Sequence, residues 1–135
     1  MSVSPWTRVG ALSAALSVAA GAFGAHALRD RLSAPLLSLY QTAASYQMSH
    51  ALALVAVGLL ARTTPAPCRT ITAAGWSFLL GTLLFSGSLY ALALTGEKAF
   101  GRITPMGGVA FLIGWILLAV TGPSSPKTYR PPPAA

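Results

Sequence analysis

The chain has 135 residues, 54% of them hydrophobic and 8% charged, with a net charge of +7. So small a charged share argues against a soluble four-helix bundle, in which every helix needs a charged outer face. It argues against a nucleic-acid binder too, because Lys and Arg come in ones and twos (Arg8, Arg29 with Arg31, Arg62, Arg69, Lys98, Arg102, Lys127, Arg130) and are not massed on one face.

Four stretches carry no charge: Val9–Leu28, Leu32–Ala61, Thr70–Thr95 and Ile103–Pro126. Each reaches the roughly 20 helical residues that cross a hydrocarbon core about 30 Å thick. The prediction is an all-α, four-helix transmembrane bundle of up-down topology with short loops. Its spans are placed at 6–28, 36–61, 72–94 and 104–121 of a single domain, 1–122. Cys68 is the only cysteine, so neither an internal disulfide nor a cysteine zinc site is expected.

The first helix opens with Pro5 and Trp6, suited to a first turn and to the interface. Ala25-His26-Ala27 has the form of a signal cleavage site, but the apolar run before it is longer than a signal core, so a retained helix is expected. Ser13, Ser17, Gly21 and Gly24 fall on one face, and Gly21 and Ala25 form a small-xxx-small pair, which lets a neighbouring helix come close. The second segment starts at Ser33 and Pro35 and is long for a single crossing. Its front half, Ser38–His50, is polar and its back half apolar, so it either tilts as one helix or lies along the interface before turning in.

The third helix carries the pairs Ser77/Gly81 and Gly87/Ala91 and stops at Gly96, a good left-handed cap. The fourth is expected to start on Thr104 as N-cap and Pro105 as first residue. Gly107 and Gly108 leave its first turns bare for a backbone or a ligand, and Ala110 and Gly114 repeat the small spacing. Residues 123–135 form a Pro-rich, flexible tail. Five Lys/Arg flank the spans on the side of the termini and four on the other, a margin that leans both termini to the cytoplasm.

Only His26 and His50 are ionisable within the spans, and such groups default to a functional hypothesis. Thr42, Tyr46, Ser49 and His50 lie near one face of the second helix, with Tyr46 and His50 an i, i+4 pair that the small face of helix one could receive. Ser86 and Ser88 are further candidates. These residues read as hydrogen-bonded glue between helices, as a polar pocket for a small ligand, or as a proton or ion pathway. No catalytic constellation, metal site or cofactor is expected: the carboxylates Asp30 and Glu97 fall in loops beside bases, and neither a nucleophile elbow nor a phosphate-binding loop occurs.

Four ordered motifs carry a resemblance: Gly21-Ala-Phe-Gly-Ala-His26, Thr42-Ala-Ala-Ser-Tyr-Gln-Met-Ser-His50, Leu84-Phe-Ser-Gly-Ser-Leu-Tyr90 and Thr104-Pro-Met-Gly-Gly-Val-Ala-Phe-Leu-Ile-Gly-Trp115. Over Val9–Gly122 the chain resembles domain-of-unknown-function family 423, the YgdD-like small inner-membrane proteins related to eukaryotic transmembrane protein 256. The resemblance implies four spans, a retained first helix and a bacterial inner (plasma) membrane home, and it assigns no reaction or catalytic residue. The candidate intramembrane polar site is His26, Thr42, Tyr46, Gln47, His50, Ser86, Ser88, Tyr90, Gly107 and Gly108. The expected role is a non-enzymatic accessory or lipid-interacting bundle. The alternatives are a binder or carrier of a small apolar or amphipathic ligand, or a proton or ion pathway. Expected partners are membrane lipid and, through the small-residue faces, copies of itself or a larger membrane complex; nucleic acid is not among them.

Overall fold

The computed structural model describes residues 3–64 and 68–121; the tail expected at 123–135 lies outside the described residues. Helix α1 spans Pro5–His26 and α2 spans Ala34–Thr63, entered from an extended Ser33 with Pro35 in its first turn. α2 is unbroken for 30 residues, about 45 Å at 1.5 Å per residue, so its polar front half continues into its apolar back half as one helix. The next span is α3 (Arg69–Gly81), a π turn (Thr82–Ser86) and α4 (Gly87–Thr95) laid end to end. It stops at Gly96, whose φ of 72° is the left-handed conformation that glycine adopts at no steric cost. A 3₁₀ turn, Lys98–Arg102, leads into α5, Thr104–Ala119. Four helices are thus long and apolar enough to cross a membrane, and no strand occurs among the described residues.

Two local expectations are corrected. The third span is not a uniform α-helix: the Gly87 N–H bonds the Thr82 carbonyl five residues back, which opens a wide turn at its middle. Thr104 does not cap α5. The helix already includes Thr104, the cap position falls on Ile103, and the Thr104 hydroxyl instead pairs with Ser88 Oγ at 2.8 Å.

α2 is the central element, packing most extensively against α1 and, on another face, against α3, the π turn and α4; α5 packs on α3 and the π turn. The buried residues of α1 are Gly10, Ser17 and Gly24, seven apart. Those of α2 include Tyr40, Ala44, Gln47, Ala51, Leu54 and Gly58, spaced alternately four and three. A seven-residue repeat on both partners is the geometry of a shallow left-handed crossing. The α1 stripe keeps Ser17 and Gly24 of the face expected above, but it is completed by Gly10 and not by Gly21. A Cβ built on Gly21 meets nothing within 4 Å, whereas one on Gly10 would lie 2.7 Å from the Ala51 carbonyl oxygen and 2.8 Å from the Val55 nitrogen.

One apolar cluster (Ala53, Leu54, Val57, Ile71, Ala74, Phe78, Phe111) fills the end where α1 starts and α2 finishes. A smaller one (Leu28, Tyr40, Ala93) fills the opposite end. Outside them the surface is apolar as well: Leu12, Leu16, Leu52, Leu83, Leu112 and Ile116 are all more than half exposed, which suits lipid and not water. Gly10→Ala is expected to lower stability by about 1–3 kcal/mol by overpacking the seam. Gly21→Ala leaves it unchanged or slightly raised, because alanine is the better helix former. Unfolding midpoints in detergent compare the two.

Candidate functional site

α2 carries Tyr46 and His50 one turn apart, and α5 carries Phe111 and Trp115 at the same spacing. The π turn brings Phe85 between them. Gly107 permits this, since a Cβ there would lie 2.7 Å from the Phe85 Cα. With Pro105, Gly108, Val109 and Leu112, these side chains (Tyr46, His50, Phe85, Phe111, Trp115) line an open groove of about 540 Å³. From Pro105 to Trp115 it follows α5 for ten residues, about 15 Å.

His50 forms the inner wall and is 6% exposed. Its ring lies on that of Phe111, with centroids 3.4 Å apart and planes 8° from parallel. Nδ1 is 2.8 Å from the Tyr46 carbonyl oxygen, and Trp115 Nε1–H donates to Nε2 at 3.3 Å. A carbonyl can only accept and an indole N–H can only donate, so these partners select the neutral imidazole with its proton on Nδ1. A second proton, on Nε2, would face the indole N–H donor to donor. Tyr46 is 44% exposed and its ring lies 4.5 Å from that of Phe85. Among the described residues it enters side-chain hydrogen bonding through its backbone carbonyl, and its phenol meets no partner.

The remaining candidates are spread over other parts of the bundle. The expectation that helix one receives the Tyr46–His50 face is corrected. Ser17 Oγ donates to the Ala44 carbonyl at 2.8 Å, and Gln47 Nε2 donates to the Ser13 carbonyl at 3.1 Å. Residues 44, 47 and 51 own that seam, and 46 and 50 lie about a third of a turn round the helix, towards α5. Tyr90 donates to Gln47 Oε1 at 2.9 Å, so Gln47 links α1, α2 and α4. Ser88 joins Thr104 as described, and Thr42 Oγ1 turns back to the Ser38 carbonyl of its own helix. Ser86 Oγ is buried with no partner among the described residues. His26 is exposed at the end of α1 and is not brought to His50. Of the ten candidates, Tyr46, His50 and Gly108 line the groove and Gly107 seats its π turn.

The groove residues not anticipated are Phe85, Pro105, Val109, Phe111, Leu112 and Trp115. A signal existed for two of them: the aromatic i, i+4 pair Phe111–Trp115 on an otherwise aliphatic helix. Neither acid takes part, since Asp30 and Glu97 are exposed in connections. Away from the groove, Cys68 Sγ sits 2.9 Å from Thr70 Oγ1, and that hydroxyl draws the thiol below its usual range.

Comparison with known proteins places residues 20–108 on the model of a family described as a protein of unknown function, DUF423. A UPF0382 membrane protein of Staphylococcus saprophyticus is 46% identical over 112 residues, 83% of this chain and 91% of that one. The UPF0382 membrane protein YwdK of Bacillus subtilis is 45% identical over 112 residues, 83% and 90% of the two chains. No solved structure matches.

Nitrogen–proton correlation spectra of the imidazoles are expected to show His50 protonated on Nδ1 and bare on Nε2, with the Nε2 resonance moving in Trp115→Phe. Gln47→Leu is expected to destabilise by about 1–3 kcal/mol, since the Tyr90 hydroxyl loses its buried acceptor. Adding Tyr90→Phe recovers part of that loss, with a coupling of about 0.6–1.7 kcal/mol in a double-mutant cycle.

Proposed function

This chain belongs to the DUF423 family of membrane proteins, and we propose that it serves, without catalysis, as a binding bundle for a small apolar or amphipathic molecule held in the Tyr46–Trp115 groove. The proposed setting is the bacterial inner membrane, with both termini cytoplasmic. The groove itself carries this reading: about 540 Å³, walled by rings and aliphatic side chains with few polar groups, and open beside the exposed side chains of Val109 and Leu112. Ligand sites share that size and that mix of apolar lining with sparse polar contacts. A molecule dissolved in the bilayer reaches it sideways, without crossing water.

A proton pathway has less support, because both ring nitrogens of His50 are engaged by Tyr46 and Trp115. The accessory-subunit reading is favoured by Gly21 and Gly87, at which an added Cβ meets nothing within 4 Å and which leave room for a further helix.

Gly108 supplies the test. A Cβ there comes no nearer than 3.9 Å to the Phe85 ring, so a side chain grows into the groove and leaves the fold in place. Native mass spectrometry of gently purified protein is expected to find a co-purifying small molecule that Gly108→Leu loses. Identical ligand content in the two proteins would overturn the groove as the binding site.

A further inference from the structure

Resting on the groove reading just given, we infer that the occupant is a planar ring bearing a carbonyl and carried on a long apolar tail, the quinone class, with the Tyr46 phenol donating to that carbonyl. The argument begins with depth. Tyr46 is twelve residues into α2 and seventeen from its end, about 18 Å and 26 Å along the axis, so it sits within about 4 Å of the helix midpoint. With the helix centred in a hydrocarbon core about 30 Å thick, the phenol is far from both headgroup layers. An ordinary phospholipid offers only methylene and methyl groups there. A hydroxyl in that medium has no water to fall back on and is costly until it finds an acceptor. The side chain is nonetheless 44% exposed, and no described residue bonds its hydroxyl.

The other polar groups of the groove are spent. His50 gives its Nδ1–H to Tyr46 and its Nε2 lone pair to Trp115, and the indole N–H of Trp115 is used in the same bond. One donor therefore remains, which calls for an acceptor on the ligand. The walls call for a flat one. Tyr46 and Phe85 are stacked at 4.5 Å, and His50 and Phe111 at 3.4 Å. Gly108, opposite, has no side chain to hold a ring away. The groove is open to the lipid side, so a tail of any length continues into the bilayer. A bare acyl or isoprenoid chain fits the walls but leaves the phenol unmet.

Trp115 reports on this site. Trp6 and Trp76 pair with each other at 5.3 Å, away from the groove lining, and replacing both with Phe leaves Trp115 as the one indole. That protein, in lipid nanodiscs, is titrated with menaquinone-4, whose ring quenches indole fluorescence on contact. Saturable quenching is expected. Tyr46→Phe, which keeps the ring and its packing, weakens binding by about fivefold, the worth of one neutral hydrogen bond. Gly108→Leu removes the saturable part, and excess squalene, a tail without ring or carbonyl, leaves the curve in place. Native mass spectrometry of the natural chain with the same quinone gives the same ratio without the tryptophan replacements. An affinity unchanged in Tyr46→Phe, or displacement by squalene, would overturn the carbonyl assignment and leave the groove reading standing. Quenching that rises without saturation and equally in Gly108→Leu would overturn both.

Discussion

α2 has to close two seams at once, in a solvent that does not push helices together. Lipid tails are as apolar as leucine, so association rests on close packing and on hydrogen bonds between helices. Towards α1 the answer is bareness: Gly10 meets the backbone of Ala51 and Val55, and Gly24 meets the ring of Tyr40. Ser17 and Gln47 reach across to carbonyls that come within 2.8 and 3.1 Å. A side chain at Gly10, or one larger than serine at Ser17, would separate the backbones and cost those bonds as well as the contact. Tyr90 then fastens α4 to the same Gln47, so one amide holds three helices in a single register.

The second seam solves the same problem by the opposite means. α5 packs its backbone on α3 and the π turn, with Gly107 against Phe85, and its backbone stays farther from α2. Rings fill the gap. Phe111 lies flat on His50, Phe78 meets Trp115 edge-on at 5.0 Å, and Trp115 gives its N–H to His50. Rigid rings bridge a wide separation but do not tile it, and the unfilled part is the groove. The π turn belongs to the same arrangement, because its extra width carries Phe85 out to the α5 backbone. Groove and seam are one structural fact. An α2 that approached α5 as closely as it approaches α1 would leave no space for Tyr46 to face.

Charge placement made the four spans legible, because eleven charged residues bracket long uncharged runs, and Gly96 marked a helix end that only a left-handed residue closes cleanly. The rest was less visible, for physical reasons. A π turn breaks no propensity rule: each of Thr82–Ser86 is at home in an α-helix, and the extra residue answers to packing against Gly107. Small residues spaced by four and small residues spaced by seven coexist on α1, and choosing Gly10 over Gly21 requires knowing where the backbone of α2 passes. Thr104 before a proline has every mark of a cap, yet Ser88, sixteen residues earlier, claims its hydroxyl. Trp115 and Phe111 resemble lipid-facing aromatics until the fold sets them against a histidine about 65 residues away. Tyr46 and His50 stood out because ionisable and phenolic groups are rare in spans, but the sequence did not say which helix they face.

In water an unpaired surface hydroxyl means nothing, because solvent completes it. In lipid the same observation separates residues that serve the fold from those that do not. Ser17, Gln47, His50 and Ser88 are buried, and each is bonded within the chain. Among the described residues the exceptions are the buried hydroxyls of Thr7 and Ser86, both small groups inside the packing. Tyr46 is of another kind: a large, partly exposed phenol near the middle of α2, where phenylalanine would supply the same stacking on Phe85 without the burden of the oxygen. Packing accounts for the ring and not for the hydroxyl, and the hydroxyl is the part that a ligand can use.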